Sequence, residues 1–252
     1  MVNVRPLRPH AALLLEDQDR KYIVVSDLHI GLEGELASKG ITIKSNLVAD
    51  MISEILGLVY SHDANNIILL GDIKHTIGTI SRQEWDDVPT FLRQISAKAE
   101  VFLVPGNHDS NIRHLLPPSI NVVSSRGMTL GDTLLMHGHS MPTDVRAYVS
   151  QIVMGHIHPV FLKRDSVING ERVWIYLQVM KDAIFSQQGL LDIVVVPSFN
   201  RYLYATKERI YHKSISPIIT RIMQRDDIVL KCIITTLDGS IVGNREILQS
   251  IL

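Results

Sequence analysis

Five short corners of this sequence hold the side chains able to do chemistry. They are Asp27-Leu28-His29, Gly71-Asp72-Ile73-Lys74-His75, Gly106-Asn107-His108-Asp109, His137-Gly138-His139 and Gly155-His156-Ile157-His158. Seven of the chain's 11 histidines fall within them. Carboxylate and imidazole without thiolate make a mixed oxygen/nitrogen donor set, which suits two divalent transition ions. The one-residue gaps in Asp27-x-His29 and His156-x-His158 turn both side chains the same way if the strand runs on. Glycine lets backbone pass close to an ion with no Cβ in the way. One such corner is ordinary turn chemistry; five of them, each closing an apolar run, point to a metal site.

The runs before the corners read as strands alternating with helices. Tyr22–Ser26 is a strand ending at Asp27, Ile67–Leu70 one ending at Gly71-Asp72, and Val101–Val104 one running into Pro105-Gly106. Thr133–Met136 ends at His137, and Ile152–Met154 at Gly155. Between them, the apolar positions Ile43, Leu47, Val48, Met51, Ile52, Ile55, Leu56 and Val59 have helical spacing, with Lys44, Asp50 and Glu54 off the stripe. A second helix is expected over Pro89–Ala97, with Pro89 in its first turn and Phe91, Leu92 and Ile95 facing inward. Asp144 is expected to cap a short helix to Gln151. This is the pattern of an open α/β sheet with its site at the strand C-termini. After His158 the texture turns β-rich, with Val173–Val179, Leu191–Val196, Ile215–Ile219 and Val229–Leu237 strand-like. Asp238-Gly239 signals a hairpin, and a last helix is expected over Asn244–Ile251. With no linker or repeat, residues 1–252 read as a single domain, its motifs at 27–158 and a β-rich half at 159–252.

Composition narrows the class. Of 252 residues, 46% are hydrophobic, and 25 basic against 26 acidic residues leave a net charge of -1. That excludes a strongly basic nucleic-acid coat protein and an acidic disordered chain. The lone Cys232 excludes an intramolecular disulfide and suits a reducing cytosol, so a cytoplasmic location is expected. No apolar run approaches the ~20 residues a spanning helix needs, and Ala11–Leu15 is too short for a signal-peptide core.

Together the corners resemble the full signature of the calcineurin-like metallophosphoesterases. The spacing Gly71-Asp72-x-x-His75 is similar to SbcD-type nucleases, and the compact length resembles the small SbcD-related archaeal and bacterial phosphoesterases. The resemblance implies a four-layer α/β/β/α sandwich of two mixed sheets, with a dinuclear site at the strand C-terminal edge. It implies one ion held by Asp27, His29 and His158, another by Asn107, His137 and His156, and Asp72 bridging both. Mn2+ is the first expectation, with Fe, Zn, Ni or Co as alternatives. The implied reaction is hydrolysis of a phosphodiester by in-line attack of a hydroxide shared by the ions. His108 would stabilise phosphate charge or protonate the leaving oxygen. By its position, Asp109 is a candidate to accept the second ring N–H of His108, against a plain turn residue; by the resemblance His75 would help orient a diester, against a supporting hydrogen-bonder or an exposed helix-start histidine.

Other residues carry weaker signals. His139 is a candidate to support His137, and Lys74 to meet a phosphate, against a solvated lysine. His10, His62, His114 and His212 have no motif context. Residues 199–225 hold six basic side chains against Glu208 alone, a local charge of +5. Among them Arg201, Lys207, Arg209 and Lys213 interleave with Tyr202, Tyr204 and Tyr211, a pattern able to contact DNA or RNA, against the favoured alternative of an ordinary solvated face whose tyrosines cover the core. Asn200, ending an apolar run, is placed near the metal cleft. The leading expectation is therefore a phosphodiesterase on nucleic acid or nucleotide-derived diesters. The alternatives are a phosphomonoesterase on a small molecule or phosphoprotein, and a non-catalytic scaffold. The oligomeric state stays open, a dimer included.

Overall fold

The computed structural model describes residues 2–42, 46–163, 165–203 and 216–251. Two sheets form the frame. The first holds β1 (Asn3–Pro6), β2 (Leu13–Asp17), β3 (Arg20–Val25), β4 (Asn66–Leu69), β5 (Glu100–Leu103) and β6 (Ile120–Val122), side by side in that order. β1, β2 and β3 pair antiparallel, and β3 to β6 pair parallel. The second sheet is built from β7 (Met128–Leu130), β8 (Thr133–Met136), β9 (Gln151–Met154), β10 (Val173–Met180), β11 (Leu190–Val195), β12 (Val229–Thr236) and β13 (Ile241–Gly243). Its order is β13-β12-β10-β11-β9-β8-β7, parallel only where β9 meets β8 and β11. The helices are α1 (Leu32–Ser38), α2 (Leu47–Ser61), α3 (Arg82–Ser96), α4 (Pro217–Met223) and α5 (Arg245–Ile251).

Side-chain alternation stacks these elements into four layers. Tyr22, Val24, Ile68 and Leu70 meet Leu135, Val153, Trp174 and Val194 in one core between the sheets. Their chain neighbours Ile23, Val25, Ile67 and Leu69 face the opposite way, onto Met51, Ile55, Phe91 and Leu92 of α2 and α3. Ile152, Ile175 and Ile193 of the second sheet pack on Ile218, Ile222 and Leu248 of α4 and α5. Strands buried on both faces have no polar side to show, which is why these runs are continuously apolar. The observed architecture is the α/β/β/α arrangement expected.

Three local expectations are corrected. The second helix begins at Arg82, so Pro89 lies inside it rather than in its first turn. The Ser81–Glu84 capping box starts it, and burial of Val88, Phe91, Leu92 and Ile95 carries it past a proline that removes one hydrogen bond. The stretch from Asp144 to Gln151 forms only a 3-10 turn, Asp144–Arg146. The Asp144 carboxylate is taken by the Ser186 N–H and hydroxyl, and Gln151 opens β9. Ile218 and Ile219 belong to helix α4, not a strand: Pro217 occupies its first turn, and Ile218, Ile219 and Ile222 form one buried stripe. Ile215 lies outside the described residues, as do Ile43 and Lys44 before α2. The Asp238-Gly239 hairpin joins β12 to β13. Among the described residues, no helix is long and apolar enough to cross a membrane.

Candidate metal centre

The corners after β3, β4, β5, β8 and β9 converge at one edge of the sandwich. The first sheet's ladder runs on into them: the Asp27 N–H donates to the Gly71 carbonyl and the His29 N–H to the Asp72 carbonyl. The sheets are joined there too, since the Asp27 carboxylate accepts the His156 N–H at 3.0 Å. Asp27, His29, Asp72, His156 and His158 all take positive φ, between 44° and 72°. A non-glycine residue there costs about 1–3 kcal/mol and persists only when its surroundings impose it. Close approach explains two of the glycines. A Cβ on Gly106 would sit 2.2 Å from the Asp72 Oδ1, and one on Gly155 would sit 1.8 Å from the Ser26 Oγ.

All seven side chains matched to the family's ligand positions come together. Among the described residues, Asp27, His29, Asp72 and His158 place donor atoms within 4.8 Å of one another, and so do Asp72, His137 and His156. Asp72 is common to both groups. Its Oδ2 is 3.7 Å from His29 Nε2 and 3.2 Å from His137 Nε2. His158 Nε2 lies 3.0 Å from Asp27 Oδ1 and 3.3 Å from His29 Nε2. Asn107 Oδ1 lies 3.2 Å from His137 Nε2.

The hydrogen positions in this set leave room for a cation. His137 Nδ1 donates to the Leu70 carbonyl at 2.7 Å, which turns its Nε2 lone pair toward Asp72 Oδ2. Two acceptors then face each other, a contact only a shared cation or proton relieves. Asp72 Oδ2 and His156 Nδ1 are buried with no hydrogen-bond partner among the described residues. Burial opposes charge on His137, yet the carboxylates of Asp72 and Asp27 outweigh it and push its pKa up to about 10. Burial likewise works against ionised Asp72, but His137, His29 and His108 outweigh it and hold the carboxyl well below its usual range. Burial, reinforced by the charge of His137, takes His156 down to about 3. His29 is pulled well below normal by burial despite facing Asp72. Without an ion, His137 and the carboxylates of Asp72 and Asp27 share a proton, and a cation bound there would displace it and leave ionised carboxylates among neutral imidazoles.

The remaining candidates divide. His108 stands beside the shared carboxylate, with its Nε2 3.9 Å from Asp72 Oδ2. Its Nδ1 lies 2.5 Å from the His75 carbonyl, so Asp109 is not its partner as expected. Asp109 is a buried clasp instead. It accepts the Ile73 and Gly106 N–H groups, each at 2.8 Å, tying the second corner to the third. Burial and the charge of Asp72 raise its pKa to about 6. His75 is 7% exposed, with its ring between Glu35 and His29. Lys74 is neither solvated nor aimed at a phosphate: it is fully buried and donates to the Thr76 and Thr79 carbonyls of its own loop. His139 packs its ring on His137 and His156, its Nδ1 without a hydrogen-bond partner among the described residues. Asn200 approaches the cleft from behind, its amide holding the Leu28 carbonyl at 2.9 Å. Arg201 is half exposed and pairs with Glu54 at 3.3 Å. Lys207, Arg209 and Lys213 lie outside the described residues.

Two supporting residues escaped the sequence reading. Glu84, fully buried, caps α3 and also accepts the His75 N–H at 2.9 Å and the Thr76 N–H at 2.6 Å. The Ser81-x-x-Glu84 spacing was the available signal for it. Glu35 on α1 reaches His75 Nε2 at 2.5 Å, and no spacing announces that pair.

The fold has a counterpart among solved structures. Among solved structures, the nuclease MPE of Pseudomonas putida superposes with a TM-score of 0.53 at 20% identity, covering 95% of this chain and 100% of that one. At that identity the likeness is one of fold. Yfce, a phosphoesterase from E. coli, gives a TM-score of 0.40 at 16% identity, covering 90% and 98%. No curated protein matches this sequence. Residues 20–195 match the model for calcineurin-like phosphoesterases, a metal-dependent hydrolase family. That span holds all five corners and most strands of both sheets; the chain belongs to the calcineurin-like phosphoesterase family.

Proposed function

We propose that this chain is a dinuclear metal-dependent phosphodiesterase acting on nucleic acid or nucleotide-derived diesters. Asp27, His29 and His158 would hold one ion, Asn107, His137 and His156 the other, and Asp72 both. Bound there, divalent ions would supply Lewis acidity toward a phosphoryl oxygen and a water acidic enough to attack at neutral pH. The observation that carries the reading is the place of His108 beside the carboxylate common to both clusters. With its Nδ1 on the His75 carbonyl, its Nε2 is left to face the reacting group. From Nε2, His108 would donate to a phosphoryl or leaving oxygen as the general acid. The seven convergent ligand positions weigh against a scaffold that has lost its chemistry.

The diester preference rests on the SbcD-like spacing of Asp72 and His75 and on the basic stretch that begins at Arg201, which follows Asn200 in sequence. Arg201, Lys207, Arg209 and Lys213 would contact the phosphates of a polynucleotide. The test is Mn2+-loaded protein assayed on an aryl phosphodiester, the matched monoester, a cyclic nucleotide, and single- and double-stranded DNA. Faster turnover of the diester, with cleavage of DNA, supports the reading. Preference for the monoester without DNA cleavage sinks it in favour of a phosphomonoesterase.

A further inference from the structure

We infer that Glu35 is a positioning residue of the metal centre, acting through His75 to fix the hydrogen position and ring orientation of His29. The inference rests on the reading of His29 as a metal ligand and extends it to a carboxylate outside every motif.

An ionised carboxylate only accepts, so the His75 Nε2, 2.5 Å from Glu35 Oε2, must carry hydrogen. In a neutral imidazole the other nitrogen is then a lone pair. That nitrogen, His75 Nδ1, lies 3.3 Å from His29 Nδ1, so the hydrogen between the rings belongs to His29. His29 Nε2 is thereby left bare, and it is the atom facing His158 Nε2 at 3.3 Å and Asp72 Oδ2 at 3.7 Å. The two rings meet nearly edge-on, with 72° between their planes, which suits an N–H···N contact. Glu35 thus fixes, two residues removed, which nitrogen of His29 is offered to a cation.

The surrounding structure holds each member in place. α1 follows directly on the first corner and is anchored by buried Leu32 and Leu36 against Leu203. Lys39 holds the second Glu35 oxygen at 2.8 Å. The His75 backbone is fixed separately, its N–H by Glu84 and its carbonyl by the His108 ring. Removing the Glu35 carboxylate therefore frees the His75 ring without dismantling its loop.

The test measures Mn2+ affinity calorimetrically on metal-free wild type, Glu35→Ala, Glu35→Gln, His75→Ala and the double variant Glu35→Ala/His75→Ala. Long-range 1H–15N NMR on the metal-free proteins reads the His29 tautomer. Glu35→Ala is expected to weaken binding by about 10–100-fold, the usual effect of losing a histidine's outer partner. Glu35→Gln should recover most of that, because its amide oxygen still accepts. In the His75→Ala background, Glu35→Ala should cost less than about twofold, since the chain is already cut. NMR should show His29 as the Nδ1–H form in wild type and as a mixture in Glu35→Ala. If wild type takes up no Mn2+, both the metal reading and this inference fall. If wild type binds Mn2+ and Glu35→Ala binds it as tightly with the same tautomer, the inference alone falls. It also falls if the Glu35→Ala loss persists undiminished without His75.

Discussion

Replacement of Glu84 by alanine should be the most damaging single change near the site that touches none of the proposed ligands. Its carboxylate is buried and accepts the N–H groups of His75 at 2.9 Å, Thr76 at 2.6 Å and Ser81 at 2.6 Å. Each hydrogen bond to a charged group contributes about 1.5–3 kcal/mol, so the three together set a ceiling of roughly 9 kcal/mol. Relaxation and entering water reduce that. The buried Lys74 ammonium, however, loses a nearby compensating charge. A net loss of about 4–6 kcal/mol follows, near the upper end for a point substitution. At about 2–4 °C per kcal/mol for a chain of this size, melting should fall by roughly 10–20 °C. Glu84→Gln keeps one accepting oxygen and should lose about half as much. Thermal and urea denaturation measure both variants, and hydrogen exchange at His75, Thr76 and Ser81 locates the effect. A Glu84→Ala protein melting within about 3 °C of wild type, with those amides still protected, would refute the reasoning.

Three further outcomes are expected. His108→Ala should lower kcat/KM by about 10²–10⁴-fold while metal content, measured by elemental analysis, stays at the wild-type level; loss of metal along with activity would make His108 a ligand instead. Chelation should destabilise the fold, because bound ions at about 100 times their Kd contribute about 2.7 kcal/mol. Differential scanning calorimetry should then show melting about 5–10 °C lower in EDTA, and an unchanged transition would count against a filled centre. Burial raises the Cys232 thiol to about 11, only partly offset by Arg245. Only about one molecule in a thousand is then thiolate at pH 8, and alkylation by iodoacetamide should speed up about tenfold per pH unit up to pH 10. Rapid alkylation at pH 7 in the folded protein would contradict that.

The corner residues were legible because each is announced by the apolar run it ends, and the order of corners survives in one dimension. Buried runs such as Ile67–Leu70 marked strands for the same reason. What escaped depends on contacts the chain order hides. Glu35 and His75 are 40 residues apart and meet only because α1 folds back over the second corner. Lys74 looked solvated because lysine usually is, and only the folded loop supplies the carbonyls that bury it. Asp109 follows His108 in sequence, yet its carboxylate turns to the Ile73 and Gly106 amides. Pro89 suggested a helix start where tertiary burial, begun by the Ser81–Glu84 capping box, had already carried the helix through.

The candidate ligands are divided between two plates. Asp27, His29, Asp72 and Asn107 hang from the first sheet, while His137, His156 and His158 hang from the second. Elsewhere the sheets meet mainly through apolar side chains around Trp174, which resist separation but hold no fixed direction against sliding. Ions gripped from both sides would act as a rivet at one end of that seam. By reciprocity, trimming Trp174 should loosen the grip on the ions, and filling the centre should stiffen packing around Trp174. Ion occupancy then becomes a gauge of how the two plates are aligned.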